Sequence, residues 1–486
     1  MLLMLWAASC QPSDATAVAG PGALDTAAPH SDGADTRPDT SEPMPPNLLV
    51  VLLDDVGVDK IGAYGVHDQP APTPTIDALA AEGLLFENAW TYPGCTPSRA
   101  ALLTGRHATR TGLGRVLTPE VDGHWLLEDE VTVAEVLRAA PQPYATALVG
   151  KWHLVAWQHD SPADHPGLQG FDAVRGTLGN LHHAYDAVAD EELDYDYWQK
   201  NVDGSLSFTT SYVTTDQADD VLALSQALPE PWFVLSAFSA PHEPFHAPPA
   251  DLTTLTVADG DPQADLYAAM LESVDSELGR VLDTMDAGVR ARTLVVVMGD
   301  NGSPRETVLD PARPERAKES LYDGGVHVPL IVSGPLLTEP GRRTDALVHV
   351  VDVFSTVAEL AGVDVQDLVR TEGDFAGDAV TIDGRSWAGL LSDAGAVGPR
   401  DHLHVESFSP NAAGTPAAGD ATVRSQRWKL IERAGAESEL YRYDTADYAE
   451  GEDLASTIDG DAEAAEAFQA LTSELERWRG QLAYGP

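Results

Sequence analysis

The sequence predicts an α/β protein: a large domain with a central, mostly parallel sheet flanked by helices, then a small C-terminal antiparallel sheet covered by one helix. Three observations carry that expectation. The runs Asn47 to Leu53, Trp232 to Phe238 and Leu294 to Met298 are apolar on both faces, as strands buried between two layers are. Helical stretches are interleaved with them up to about residue 398. Beyond about Pro399 short alternating segments take over, the pattern of a half-exposed antiparallel sheet.

At 486 residues and 43% hydrophobic content, the chain can fill one large core and a smaller one. Its 29 Lys plus Arg against 77 Asp plus Glu leave a formal net charge of −48, which argues against nucleic acid as a partner. An anionic substrate would be repelled at long range, so a site for one needs local positive charge. Lys is scarce: Lys60, Lys151, Lys200, Lys318 and Lys429 stand among 24 Arg. A Lys can lose its proton where an Arg effectively cannot, so a Lys beside other polar groups marks candidate proton chemistry.

Residues 1–9 read as an export signal, because the apolar run Met1 to Ala8 is far too short for a membrane helix. Ala7-Ala8-Ser9-Cys10 resembles a bacterial lipoprotein cleavage site, although a basic n-region is missing and Ala7 stands where Leu or Val is usual. That resemblance implies a lipid on Cys10 and membrane attachment through it. The expected location is outside the cytoplasm, as a cell-envelope lipoprotein or a periplasmic or secreted protein. Residues 10–46, rich in Ser, Asp, Thr, Pro, Ala and Gly, read as a disordered tether, 47–398 as the large catalytic domain and 399–486 as the C-terminal subdomain.

In chain order, the first strand ends in Asp54-Asp55 and then Gly57. Paired carboxylates are costly unless a cation joins them, and the alternative is a solvated turn. Thr73-Pro74-Thr75 starts a helix through Ala81 with Gly83 as its stop. Next comes Cys95-Thr96-Pro97-Ser98-Arg99, continuing to Thr104-Gly105-Arg106. Pro97 suits a first helical turn, and a thiol and an Arg four residues apart share a face at its N-terminus. Free amides there favour an anion, and the same field would lower the thiol pKa. Val131 to Ala140 reads as a helix and Tyr144 to Val149 as a strand ending in Gly150-Lys151-Trp152-His153. In extended chain Lys151 and His153 point to one side.

His159 to Gly204 reads as long loops over the site, and the pair His182-His183 as surface or substrate-facing rather than a metal site. Asp216 to Leu228 is helical. Trp232 to Phe238 then leads into Pro241-His242-Glu243-Pro244-Phe245, whose prolines suit a rigidly held acid or base at His242, while Glu243 and His246 read as structural. Ala264 to Met285 is a long helix, and Leu294 to Met298 is a strand ending in Gly299-Asp300-Asn301-Gly302. Asp54, Asp55, Asp300 and Asn301 together offer hard oxygen ligands, which select Ca²⁺ or Mg²⁺ over Zn²⁺. Lys318 precedes Tyr322-Asp323-Gly324-Gly325-Val326-His327-Val328-Pro329, with a strand to Val332 and a helix from Val350 to Ala361. The alternating segments are His402 to Phe408, Ala421 to Ser425, Trp428 to Glu432 and Leu440 to Tyr443, followed by an amphipathic helix from Ala462 to Arg479.

Cys95-Thr96-Pro97-Ser98-Arg99 with Thr104-Gly105-Arg106 resembles the signature of the type I sulfatases, within the alkaline phosphatase-like superfamily. Asp54-Asp55-Val56-Gly57, Gly150-Lys151-Trp152-His153-Leu154, His242, Gly299-Asp300-Asn301-Gly302 and Lys318 match further motifs of that family. Asp323 and His327 depart from it, standing where Glu and Arg are usual. The resemblance implies oxidation of Cys95 to formylglycine by a formylglycine-generating enzyme, and one Ca²⁺ held by Asp54, Asp55, Asp300, Asn301 and residue 95. It also implies that the hydrated aldehyde attacks the sulfur of a sulfate ester while Arg99, Lys151 and Lys318 neutralise charge. His242, with Lys318, would protonate the leaving alcohol, and His153 would take a proton from the second hydroxyl to expel sulfate. Lys151, His242 and Lys318 would contact substrate, and the resemblance implies a further sulfate-contacting residue between His159 and Gly204, for which Asn180, His182 and His183 are candidates. The expected activity is sulfate monoester hydrolysis of arylsulfatase type, extending to sulfated carbohydrates. Two other readings stay open: a phosphonate or phosphate ester hydrolase of the same superfamily, and a non-catalytic lipoprotein that binds sulfated glycans.

Overall fold

The computed structural model describes residues 44–118, 123–185, 193–308, 314–369, 377–412, 419–443 and 450–482. The export segment, Cys10 and most of the expected tether lie outside the described residues.

Strands β1 (Asn47–Leu53), β2 (Leu84–Trp90), β3 (Ala145–Lys151), β4 (Ala173–Thr177) and β5 (Trp198–Val202) share a sheet with β6 (Ser205–Thr209), β7 (Trp232–Phe238), β8 (Thr293–Gly299), β9 (Leu330–Ser333) and β10 (Arg342–His349). Among the described residues the sheet has ten strands in the order β10-β2-β9-β8-β1-β7-β3-β4-β5-β6. At its centre β1 runs parallel to both β7 and β8, and β3 runs parallel to β7. Alternate residues of β1 face opposite layers: Leu48, Val50 and Leu52 pack in one core, and Leu49, Val51 and Leu53 in the other. Such two-sided burial is what an unbroken apolar run encodes.

Register fixes where the polar ends emerge. Leu53 pairs with Phe238 on one side and Gly299 on the other, and Gly150 pairs with Ala237. The residues after β1, β3, β7 and β8 therefore leave the sheet at one edge, the carboxyl edge where α/β sheets bind ligands. The helix Cys95–Thr104 starts there, and all ten of its residues are buried. Gly105 ends it at φ +66, where an added Cβ would lie 2.7 Å from the Phe354 ring.

Several elements differ from the sequence expectation. The span from His159 to Gly204 contains strands β4 and β5. The pairs β4/β5 and β5/β6 are antiparallel and short, so they extend the sheet without the long apolar run that marks its centre. The helix expected from Val131 to Ala140 is the shorter Val133–Arg138, opened by a capping box of Thr132 and Glu135. Strands β11 (Leu403–Ser407), β12 (Asp420–Arg424), β13 (Trp428–Glu432) and β14 (Glu439–Arg442) form the small antiparallel sheet. That sheet is not half-exposed. Val423, Leu430 and Leu440 pack on Leu471, Leu475 and Trp478 of the helix Ala462–Arg479, while Leu403, Val405, Ile431 and Tyr441 join the large core. Lys429 on β13 is fully buried and reaches Asp323 (3.1 Å) and Glu450 (2.5 Å). No helix among the described residues is long and apolar enough to cross a membrane.

Candidate active site

The carboxyl edge gathers three carboxylates and three cations. Lys151 Nζ lies 2.6 Å from Asp54 Oδ2, Lys318 Nζ lies 2.6 Å from Asp55 Oδ1, and Arg99 Nη2 lies 2.8 Å from Asp300 Oδ2. Arg99 also donates to the Lys151 carbonyl at 2.6 Å. Burial works to raise the pKa of Asp54, but Lys151, His242, Arg99 and Lys318 outweigh it and hold this carboxyl well below its ordinary range. Asp300 behaves oppositely: burial and the neighbouring Asp54 push it up to about 6, against the pull of Arg99. Burial alone would depress Lys318, yet Asp55 raises it well above an ordinary Lys.

Cys95 opens its helix directly over this group. Its Sγ is 3.5 Å from Asp54 Oδ1, 3.9 Å from Asp55 Oδ1 and 3.7 Å from Lys151 Nζ. One turn on, Arg99 Nη2 approaches the other Asp54 oxygen at 3.6 Å, so thiol and guanidinium do share a face. The expected drop in thiol pKa does not occur. Burial raises it, and Lys151 and Lys318 only partly offset that, because Asp54 and Asp300 oppose them. Burial thus pushes the thiol toward its protonated form, against the helix terminus.

His153 is not in extended chain, as its alternation with Lys151 suggested; its φ is +61. The ring Nε2 meets the Leu117 carbonyl at 3.1 Å, while Nδ1 is buried without a hydrogen-bond partner. Burial, Lys151 and Arg99 hold its pKa well below the usual range. His242 donates from Nδ1 to the Glu243 carbonyl at 2.9 Å and turns Nε2 toward Asp55 Oδ2 at 3.9 Å. Burial first, then Lys151, lowers it to about 4. His246 packs on Tyr195 with centroids 4.4 Å apart, and the rings of His182 and His183 pack on one another at 4.1 Å.

The residues fit a hard divalent cation. Asp54, Asp55, Cys95 and His242 each offer a ligand atom, all within 4.8 Å of one another. Asn301 Nδ2 donates to Asp55 Oδ1 at 2.7 Å, leaving Asn301 Oδ1 buried without a partner. A buried carbonyl oxygen left unpaired is costly, and a cation among carboxylates removes that cost. Asp300 adjoins this group with both oxygens engaged, by the Asp55 amide at 3.0 Å and by Arg99. The three carboxylates and three cations of the chain nearly cancel, so an anionic ester needs the added positive charge that such an ion would bring. A second trio of ligand-type groups, Glu128, His159 and His165, is satisfied internally. Trp152 Nε1 donates to His165 Nδ1 at 2.9 Å, His165 Nε2 meets the Leu126 carbonyl at 2.8 Å, and His159 Nε2 meets Glu128 at 2.5 Å.

Supporting residues carried no readable sequence signal. Tyr267 OH donates to the Asp55 carbonyl at 2.7 Å, and Thr96 Oγ1 donates to the His153 carbonyl at 3.1 Å. Tyr195 OH reaches the carbonyls of Ser239 and His242 at 2.8 and 2.7 Å, pinning the His242 loop. Gly302 explains part of the Gly-Gly turn: an added Cβ would sit 1.8 Å from the Gly324 carbonyl, so two backbones meet there. Asp323 and His327, the departures from the family pattern, face one another at 3.9 Å, and His327 Nε2 meets the Glu87 carbonyl at 2.8 Å.

A family model described as Sulfatase matches residues 46–363. N-acetylgalactosamine-6-sulfatase of Sus scrofa is 30% identical over 67% of this chain and 64% of its own length. Arylsulfatase J of Mus musculus is 29% identical over 82% of this chain and 66% of its own length. The matches thus span just under two thirds of those relatives. Among solved structures, Ps i-CgsB superposes with a TM-score of 0.71 at 23% identity, covering 90% of this chain and 93% of that one.

Proposed function

The chain belongs to the sulfatase family, and we propose that it hydrolyses sulfate monoesters, sulfated carbohydrates among them, at the centre formed around Asp54 and residue 95. The observation that carries this reading is convergence: Cys95 and Arg99 of one helix and Lys151 of β3 all meet Asp54 within 3.6 Å. A buried nucleophile position ringed by cations is what transfer of an anionic group requires.

In this proposal Cys95 is matured to formylglycine, whose hydrate supplies a nucleophilic hydroxyl and a second hydroxyl through which sulfate is released. Asp54, Asp55, Asp300 and Asn301 hold Ca²⁺, which withdraws charge from the sulfate oxygens when bound. Arg99 and Lys151 fix the ester oxygens against residue 95, and the balance they strike with Asp54 and Asp300 keeps them in place before substrate arrives. Lys318 and His242 flank the leaving oxygen and supply its proton, His242 taking that proton up at Nε2 when the negative charge of the bound ester raises its low pKa. His153, with its unpartnered Nδ1, accepts the proton of the second hydroxyl. Export from the cytoplasm, with Cys10 as a lipid-bearing terminus, belongs to the same proposal, as does maturation by a formylglycine-generating enzyme.

Peptide mass spectrometry across Thr91 to Arg99, on protein from its native host, tests the nucleophile. An aldehyde at residue 95 is expected. An unmodified thiol in protein that hydrolyses sulfate esters would overturn the covalent scheme.

A further inference from the structure

The hollow that opens onto the site has a volume of about 310 Å³, and Asp55, His242 and Lys318 form its floor. Its rim carries Glu243, Arg305, Glu306 and Glu319, all four exposed. Three carboxylates thus stand against a single guanidinium, and none of the three enters an ion pair among the described residues. The sign is unexpected for a mouth that admits an anion.

Glu319 adds a second, independent observation. It follows Lys318 directly and holds φ at +70, a left-handed conformation that disfavours a side chain of this size. Its amide donates to the Pro93 carbonyl at 2.8 Å, and the Lys318 amide donates to the Ser303 carbonyl at 2.9 Å, so the backbone is pinned on both sides. Backbone strain of this kind gathers at functional positions. Glu319 also borders a neighbouring hollow of about 350 Å³ walled by Pro93, Gly94, Pro97 and Val116, which flank the start of the Cys95 helix. Glu319 is thus common to the walls of both hollows.

We propose that Glu243, Glu306 and Glu319 make the mouth a charge filter: the preferred ester carries the scissile sulfate as its only anionic group, on a neutral or cationic leaving group. The inference rests on the reading of the site as a sulfate ester hydrolase. The floor is built for one sulfate, and a second sulfate or a carboxylate on the same molecule would sit among the rim carboxylates. Repulsion between charges a few ångströms apart at a protein surface is strong enough to discriminate and weakens with salt. The net charge of −48 acts in the same direction at longer range.

The test compares para-nitrophenyl sulfate with its analogue bearing a ring carboxylate meta to the ester, using the full chain with its metal. kcat/KM should favour the monoanion by about tenfold or more at low salt, and the ratio should shrink as salt rises. The double variant E306Q and E319Q should raise kcat/KM for the dianion several-fold and leave the monoanion within about twofold. Calorimetric binding of both esters separates the two readings. A preserved preference in binding without turnover rejects the hydrolase reading alone. Equal handling of the two esters, unchanged in the double variant, overturns the filter, and binding of neither overturns both.

Discussion

Lys151 Nζ and Asp54 Oδ2 stand 2.6 Å apart, joining the end of β3 to the end of β1 beneath residue 95. Both side chains are almost wholly buried, so the pair works with little screening. Lys151→Ala should lower kcat/KM for an aryl sulfate about 10²- to 10³-fold, the range for loss of one group that stabilises developing charge. Lys151→Arg should not restore it, because a planar guanidinium does not fit an ammonium's place. Lys151 is among the charges that hold Asp54 ionised, so its removal should also shift the acidic limb of the pH profile upward. A variant with the wild-type profile would reject this role.

Metal dependence should divide Asp300 from Asn301. Asp300→Ala strips Arg99 of its buried carboxylate partner, and such a loss costs on the order of 3–5 kcal/mol, so metal binding and stability should fall together. Asn301→Ala removes an oxygen that has no partner and an amide that donates to Asp55 and to the Gly302 carbonyl, so stability without metal should fall by about 1–3 kcal/mol. The stabilisation on adding Ca²⁺, about 2.7 kcal/mol at a hundredfold excess over Kd in the wild type, should largely vanish in Asn301→Ala. Thermal melts with and without Ca²⁺, together with elemental analysis, read both effects.

Lys429 ties the small sheet to the Asp323 turn. Lys429→Met leaves Asp323 and Glu450 buried without their cation and should destabilise by about 3–5 kcal/mol in urea titration. Double substitution with Asp323→Asn should recover part of that loss.

Acid should destabilise the fold before its carboxylates are protonated. Burial lowers His107 and His327 to about 4. The unfolded chain therefore takes up protons near pH 6.5, where the fold refuses them, and stability falls between about pH 6.5 and 4. Glu406 opposes this, since burial raises it to about 7 and its contribution is present at low pH and lost as pH rises through that value. Burial likewise holds His153, His165, His242, His246, His349 and His404 low and raises Asp275 and Asp300 to about 6; the lowered histidines outnumber these raised carboxyls, so the net slope below pH 6.5 should be loss. Urea midpoints from pH 7.5 to 4.5 measure it, and His327→Gln should flatten the slope while keeping a donor for the Glu87 carbonyl.

The legible parts of this protein were those with a one-dimensional signature. Trp232 to Phe238 and Ala462 to Arg479 have the predicted limits because apolar runs and amphipathic periods are local. Cys95 and Arg99 could be paired from their spacing, since i and i+4 share a helix face. What escaped depends on distant chain. The rise in the Cys95 thiol follows from burial, which overrides the helix terminus. The turn of His153 through positive φ breaks an alternation that extended chain would have kept. Tyr267 acts on the Asp55 carbonyl from 212 residues away, and nothing near it in sequence announces that. The small sheet looked half-exposed because alternation reports two different environments without saying that both are buried.

Hydrolysis of para-nitrophenyl sulfate by the wild-type chain and by Cys95→Ala, both produced in a host that oxidises sulfatase cysteines, tests the account most directly. The expected result is a loss of at least about 10³-fold with an unchanged circular dichroism spectrum, because the nucleophile is gone and the buried fold remains. Turnover by Cys95→Ala within about tenfold of the wild type would contradict it.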